Sequence, residues 1–143
     1  MKSESMERPA ARVTSSVLFV SRLDRSIKFY RDVLSCTVSI REPGAALLLA
    51  PGGFQIYLIG RGLIAEHPSG GIGLQYLIWA VDSDAGLRDI ALALQDHAGR
   101  TDSYTSGDVS FLAAHDPDGI RIVVAHPSPE ELPRSVIGAQ LYV

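Results

Sequence analysis

The chain has 143 residues, 46% of them hydrophobic and 20% charged, enough for one ordinary domain or two small halves sharing a core. Its net charge is −3 and no basic stripe breaks the sequence, which argues against a nucleic-acid partner. No apolar run approaches the ~18 residues of a membrane helix, and the polar start, MKSESMERPAAR, lacks the apolar segment of a signal peptide. Cys36 stands alone, so no intrachain disulfide forms, and a cytoplasmic location is expected.

In chain order, residues 1–11 are charged, small and proline-containing, and are expected to be disordered. A first module is expected over 12–60. It opens with a strand at Val13–Val20 and a helix start at Ser21-Arg22-Leu23-Asp24, with Ser21 as cap and Asp24 near the positive helix end. Ile27, Phe29, Tyr30, Val33 and Leu34 follow at helical spacing. Strands at Cys36–Ile40, Ala46–Ala50 and Phe54–Ile59 complete the module, the last two joined by a Pro/Gly turn.

Residues 61–73 read as a linker, within a stretch, GRGLIAEHPSGGIG, that holds five glycines and a proline in fourteen residues. It lacks the GK[ST] ending and the strand–helix context of a phosphate loop. The second module, 74–126, repeats the plan. A strand at Leu74–Val81 leads to a helix capped by Asp82 or Ser83 and ended near Ala98 by Gly99. A weak strand at Thr101–Thr105 precedes a hairpin over Val109–Ala125, whose turn is Asp116-Pro117-Asp118-Gly119. The extension 127–143 carries prolines 127, 129 and 133, then VIGAQLYV, apolar enough to need a partner surface on this chain or another.

The two halves echo one another. Val20 and Val81 precede the two helices 61 residues apart, and Gly53 and Gly119 close the two hairpins 66 apart. The expected fold is therefore α+β: two paired βαβββ modules forming a curved mixed sheet around a central cup, with helices outside. Strand alternation assigns the faces. If Val20, Val81 and Val124 face the helices, the cup receives Ser15, Val17, Phe19, Gln55, Tyr57, Ile59, Tyr76, Ile78, Arg121, Val123 and Ala125. Such a cup suits an organic molecule with some flat apolar surface. The candidate ligand-binding residues are Ser15, Phe19, Gln55, Tyr57, Tyr76, Arg121 and Val123.

Each candidate also has a plainer reading. Tyrosines favour strands anyway, and Arg121 could be a solvated strand residue or pair at a dimer contact. Asp116 and Asp118 read as turn formers, Trp79 as core and Cys36 as a small buried hydrophobe. His67 and His97 fall in the linker and at a helix end. His115 and His126 bracket the last hairpin, where a metal pair or a general base is the bolder reading.

SRLDRSIKFYRDVLS and FLAAHDPDGIRIVVA together resemble the helix signature and closing hairpin of the vicinal oxygen chelate superfamily, the glyoxalase/bleomycin resistance/dioxygenase family, over about residues 13–126. The chain departs from the signatures at Ser35, where glycine follows VL, and at Ile120, where asparagine follows DPDG. The resemblance implies one divalent metal in the cup, held by His and Glu from four strands. Carried onto this chain, those positions are Ser15, Tyr57, Tyr76 and Val123, none of them a His or a carboxylate. The expectation is a metal-free, cofactor-free homodimer that sequesters a partly aromatic small molecule, similar to the bleomycin-type resistance members. The alternative is a metal-dependent lyase, isomerase or dioxygenase. A metal-free enzyme or a regulatory ligand sensor ranks last, because no nucleophile–base pair is evident.

Overall fold

The computed structural model describes residues 13–62, 74–97 and 100–128. The first half runs β1 (Ser15–Val20), α1 (Leu23–Asp32), β2 (Thr37–Glu42), β3 (Ala45–Leu49) and β4 (Gln55–Gly60). The second repeats it as β5 (Leu77–Ala80), α2 (Asp84–Asp96), β6 (Asp102–Ser106), β7 (Val109–His115) and β8 (Arg121–His126). Each half forms its own four-stranded sheet, ordered β1-β4-β3-β2 and β5-β8-β7-β6. In both, the first strand lies parallel to the last and the remaining neighbours are antiparallel. This is the expected α+β pair of βαβββ modules.

Element ends move by a residue or a few from the sequence reading. β5 is the largest difference: its ladder with β8 runs from Leu77↔Ile122 to Ala80↔Ala125, and Leu74, Gln75 and Tyr76 precede it. The N-terminal segment 1–12, residues 63–73 with His67, Gly99 and the extension from residue 129 lie outside the described residues. The two hairpin glycines behave as their turns require, Gly53 at φ +96° and Gly119 at φ +84°.

Capping differs between the helices. Ser83 caps α2 as expected, its Oγ accepting from Gly86 N–H at 2.9 Å. Ser21 does not cap α1. Arg22 holds that position and provides no side-chain cap. Instead Ser21 turns across the module boundary: its N–H donates to Asp118 Oδ2 at 3.1 Å and its hydroxyl donates to Asp118 Oδ1. A carboxylate from the second module thus sits at the positive end of α1, bonded to Ser21 before the helix and supplying negative charge there.

The helix-side faces of both sheets share one core. Val20, Leu48, Ile56 and Leu58 from the first module cluster with Leu112, Ala114, Ile122 and Val124 from the second. Phe29 and Tyr30 of α1, each 1% exposed, bridge them. Tyr30 packs on Trp79 at 6.3 Å between ring centroids, and Phe29 meets His97 edge-on at 5.7 Å. Among the described residues, no helix is long and apolar enough to cross a membrane.

Candidate ligand-binding face

With the helix sides committed to a common core, alternation turns the other face of each sheet outward. On the first module this face carries Val17 at 61% exposure, Phe19 at 53% and Tyr57 at 36%. Val17 lies beside Tyr57 and Phe19 beside Ile59 in the parallel ladder. A polar nook opens at the start of the strands. There Ser15 Oγ donates to Gln55 Oε1 at 2.9 Å, with Tyr57 Oη near the same oxygen at 3.5 Å.

The corresponding face of the second module is built differently. Val109, Phe111, Val123 and Ala125 form a small separate cluster, with Tyr76, Tyr104 and Ala113 packed against it. Tyr104 and Phe111 stack at 5.1 Å with their rings 13° from parallel. Arg121 lies over the Tyr76 ring at 4.6 Å. Ile78, 44% exposed, continues this face along β5. Burial raises the Tyr76 phenol above its ordinary value against the opposing charge of Arg121. Burial likewise raises Tyr104, helped by Tyr76 and opposed by Arg121. Both hydroxyls therefore stay protonated at neutral pH.

Three residues of this face escaped the sequence reading. Arg61, assigned there to the linker, continues the β1–β4 ladder through its N–H to Val20 carbonyl bond at 2.9 Å and lies 4.5 Å over the Phe19 ring. Extending the alternation two residues past Ile59 would have found it. Tyr104 and Phe111 follow from the pairing of Phe111 with Ala125, which needs the hairpin register.

Other candidates leave the site. His115 pairs with Arg121 and His126 with Ser110, at opposite ends of the β7–β8 ladder. At ~3.4 Å per residue they stand about 17 Å apart and cannot share an ion. His126 Nδ1 lies 2.9 Å from the Val81 carbonyl, and His97 packs on Phe29. Asp116 is a turn former, its Oδ1 accepting from the N–H groups of Asp118 at 2.8 Å and Ile120 at 2.9 Å. Clefts of about 310 Å³ between α2 and β6–β7, and about 460 Å³ beside Val13 and Phe54, touch this face only at its margins, the first through Tyr104 and Phe111 and the second through Gln55.

Known structures share this architecture. A glyoxylase/bleomycin resistance protein/dioxygenase domain from Frankia sp. EAN1pec is 25% identical, with a TM-score of 0.67 over 82% of this chain and 98% of its own. The chain has the vicinal oxygen chelate fold. A lactoylglutathione lyase from Agrobacterium tumefaciens shares that fold at 19% identity and TM-score 0.61, over 82% of this chain and 94% of its own. So does a fosfomycin resistance protein from Mesorhizobium loti, at 12% identity and TM-score 0.67 over 87% and 98%. No protein-family model matches the chain, and no curated protein is similar to it in sequence.

The vicinal oxygen chelate fold raises the question of a divalent metal, and the side chains answer it. Ser15 offers a hydroxyl already bonded to Gln55. Tyr76 offers a phenol that burial holds protonated. Val123, fully buried, offers only methyl groups. Ser15 and Tyr57 also stand on different rungs, since Ser15 pairs with Gln55 and Tyr57 with Val17. Among the described residues, no three His, Cys, Asp or Glu side chains gather. A divalent ion needs imidazole, thiolate or carboxylate donors in number. These residues do not fit one.

Proposed function

We propose that this protein binds a small, partly aromatic molecule without a metal ion, in a cup that two copies of the chain complete. The observation that carries the reading is the set of solvent-facing apolar side chains Val17, Phe19 and Tyr57 on the first sheet's face turned from the core, with exposed Ile78 on the second sheet. Apolar residues gathered on one face mark a surface that something covers. Aromatic and alkyl walls with a few hydroxyl, amide and guanidinium groups suit an organic ligand that is flat on one side. Sequestration of a toxic or antibiotic molecule is the role this reading carries. A cytoplasmic location accords with the single cysteine, which is buried.

Two measurements test it together. Elemental analysis of untagged protein, before and after reconstitution with Ni, Zn, Mn and Fe, should give less than about a tenth of an equivalent, as the missing donors dictate. A ligand screen by tyrosine emission and thermal shift should find aromatic compounds that raise the melting temperature. A ligand at a hundred times its Kd adds about 2.7 kcal/mol. Near-stoichiometric metal would instead favour a lyase, isomerase or dioxygenase.

A further inference from the structure

We propose that the C-terminal segment VIGAQLYV, residues 136–143, of one copy lies across the open face of the first sheet in the other copy. The proposal rests on the two-copy reading above and names the segment that joins the copies. In register, the middle of that face is one apolar row crossing all four strands: Val17 of β1, Tyr57 of β4, Leu47 of β3 and Ile40 of β2. Phe19 flanks the row on one side and Leu49 on the other. Ile40 is 51% exposed, so the open surface extends from Val17 at one edge of the sheet to the opposite edge. The second sheet closes over its own face. Val123 and Ala125 are fully buried there, with Tyr76 and Tyr104 packed against their cluster. The unfilled demand for a cover therefore belongs to the first module.

The chain outside the described residues holds one segment of matching chemistry. Residues 1–12 carry five charged side chains, and 63–73 is broken by Pro68 and three glycines. Segment 136–143 has neither charge nor proline. Extended, it sorts at period two into Ile137, Ala139, Leu141 and Val143 on one side and Val136, Gly138, Gln140 and Tyr142 on the other. The first side is wholly apolar, as a strand laid on an apolar surface requires. Seven residues, 129–135, join it to the described chain and span about 23 Å when extended. A four-stranded sheet is about 14 Å across, so the connector outreaches the width of the face. Folded on its own chain, the segment would close that face and leave a second copy no contact there. Exchanged reciprocally about a twofold axis, it buries both faces and both segments in one closed contact.

The test keeps the full chain. Ile137→Asp and Leu141→Asp place a charge on the apolar side of the segment, and Gln140→Asp places the same charge on the other side. Sedimentation should show a wild-type dimer whose dissociation constant rises about a hundredfold in the first two variants and changes by less than about threefold in Gln140→Asp. Circular dichroism and melting should be unaltered in all three. Cross-linking identifies the chain that supplies the segment. Val17→Cys protein mixed with Leu141→Cys protein should give a disulfide-linked heterodimer, the two thiols yielding two electrons and two protons to added oxidised glutathione. Cys36 is buried and stays out of the exchange. A wild-type dimer that all three aspartates leave intact, or that all three break alike, overturns the segment's role while the two-copy reading stands. A disulfide formed only within single chains of Val17→Cys/Leu141→Cys places the segment on its own copy and overturns the exchange. A monomeric wild type removes both readings.

Discussion

Tyr30 Oη donates a 2.8 Å hydrogen bond to Asp116 Oδ2 across 86 residues of sequence. It joins the last turn of α1 to the β7–β8 turn, with Tyr30 1% exposed and Asp116 5%. Asp116 already holds its own turn with Oδ1, so one carboxyl fixes a hairpin with one oxygen and a module interface with the other. Two sheets that share no ladder are held together by their common core, and this buried bond adds a directional contact between them.

Tyr30→Phe removes the donor and leaves a buried carboxyl short of a partner, which costs about 1–3 kcal/mol. The cost should depend on pH in a definite direction. Burial raises the Asp116 carboxyl above its ordinary value, while hydrogen bonds from Tyr30, Ile120 and Asp118 pull it down. A carboxyl raised in the folded state contributes stability that is full below its unfolded value and is lost as pH climbs through the raised one. The Tyr30 bond limits that loss by solvating the carboxylate. Urea unfolding should therefore show a larger deficit for Tyr30→Phe at pH 7 than near pH 4. An equal or smaller deficit at pH 7 would refute the account.

Asp118 anchors the start of α1 from the other module through Ser21 and Arg25, so its removal should loosen one helix and spare the other. Asp118→Ala deletes the acceptor of Ser21 N–H and Ser21 Oγ and the partner of Arg25 at 3.3 Å. A loss of about 1 kcal/mol is expected for the lost hydrogen bonds and helix-end charge, with Asp118→Asn milder because it keeps an acceptor without the charge. Hydrogen exchange should quicken at the first-turn amides of α1 and stay unchanged in α2. Equal quickening in both helices would mean that Asp118 supports the fold only globally.

The same two aspartates show where sequence reasoning reached and where it stopped. Pro117 and Gly119 make the turn legible, and alternation about Val20, Val81 and Val124 sorted the sheet faces because alternate residues pack into different surroundings, Ile122 and Val124 in the shared core and Val123 and Ala125 in the smaller cluster. Local pattern carries no information about partners 86 or 97 residues away. Ser21 therefore read as a local cap when its true acceptor is Asp118. Arg61 was hidden for a related reason, since glycines on both sides mask the end of a strand that only the ladder to Val20 reveals.

Cys36 should be inert in the folded protein. It is buried, and burial pushes its thiol up to about 11, so the reactive thiolate is scarce at pH 8. Ellman's reagent should modify it only after denaturant is added, or at the slow rate of global opening. Rapid stoichiometric modification of native protein would show an access route that its burial denies.

The open sheet faces give the most direct test of the two-copy cup. Val17 and Ile78 contribute little to the chain's own core at 61% and 44% exposure, so Val17→Asp and Ile78→Asp should cost the fold no more than about 0.5 kcal/mol. Buried between two copies, each aspartate would instead place an unpaired charge in an apolar contact, which costs several kcal/mol. Wild type should sediment as a dimer, and both variants as folded monomers with unaltered circular dichroism. Leu92→Asp is the control: Leu92 is also 61% exposed, but on α2, away from both sheet faces, so that variant should remain dimeric. A monomeric wild type, or aspartate variants that stay dimeric, would leave the apolar faces to the ligand alone.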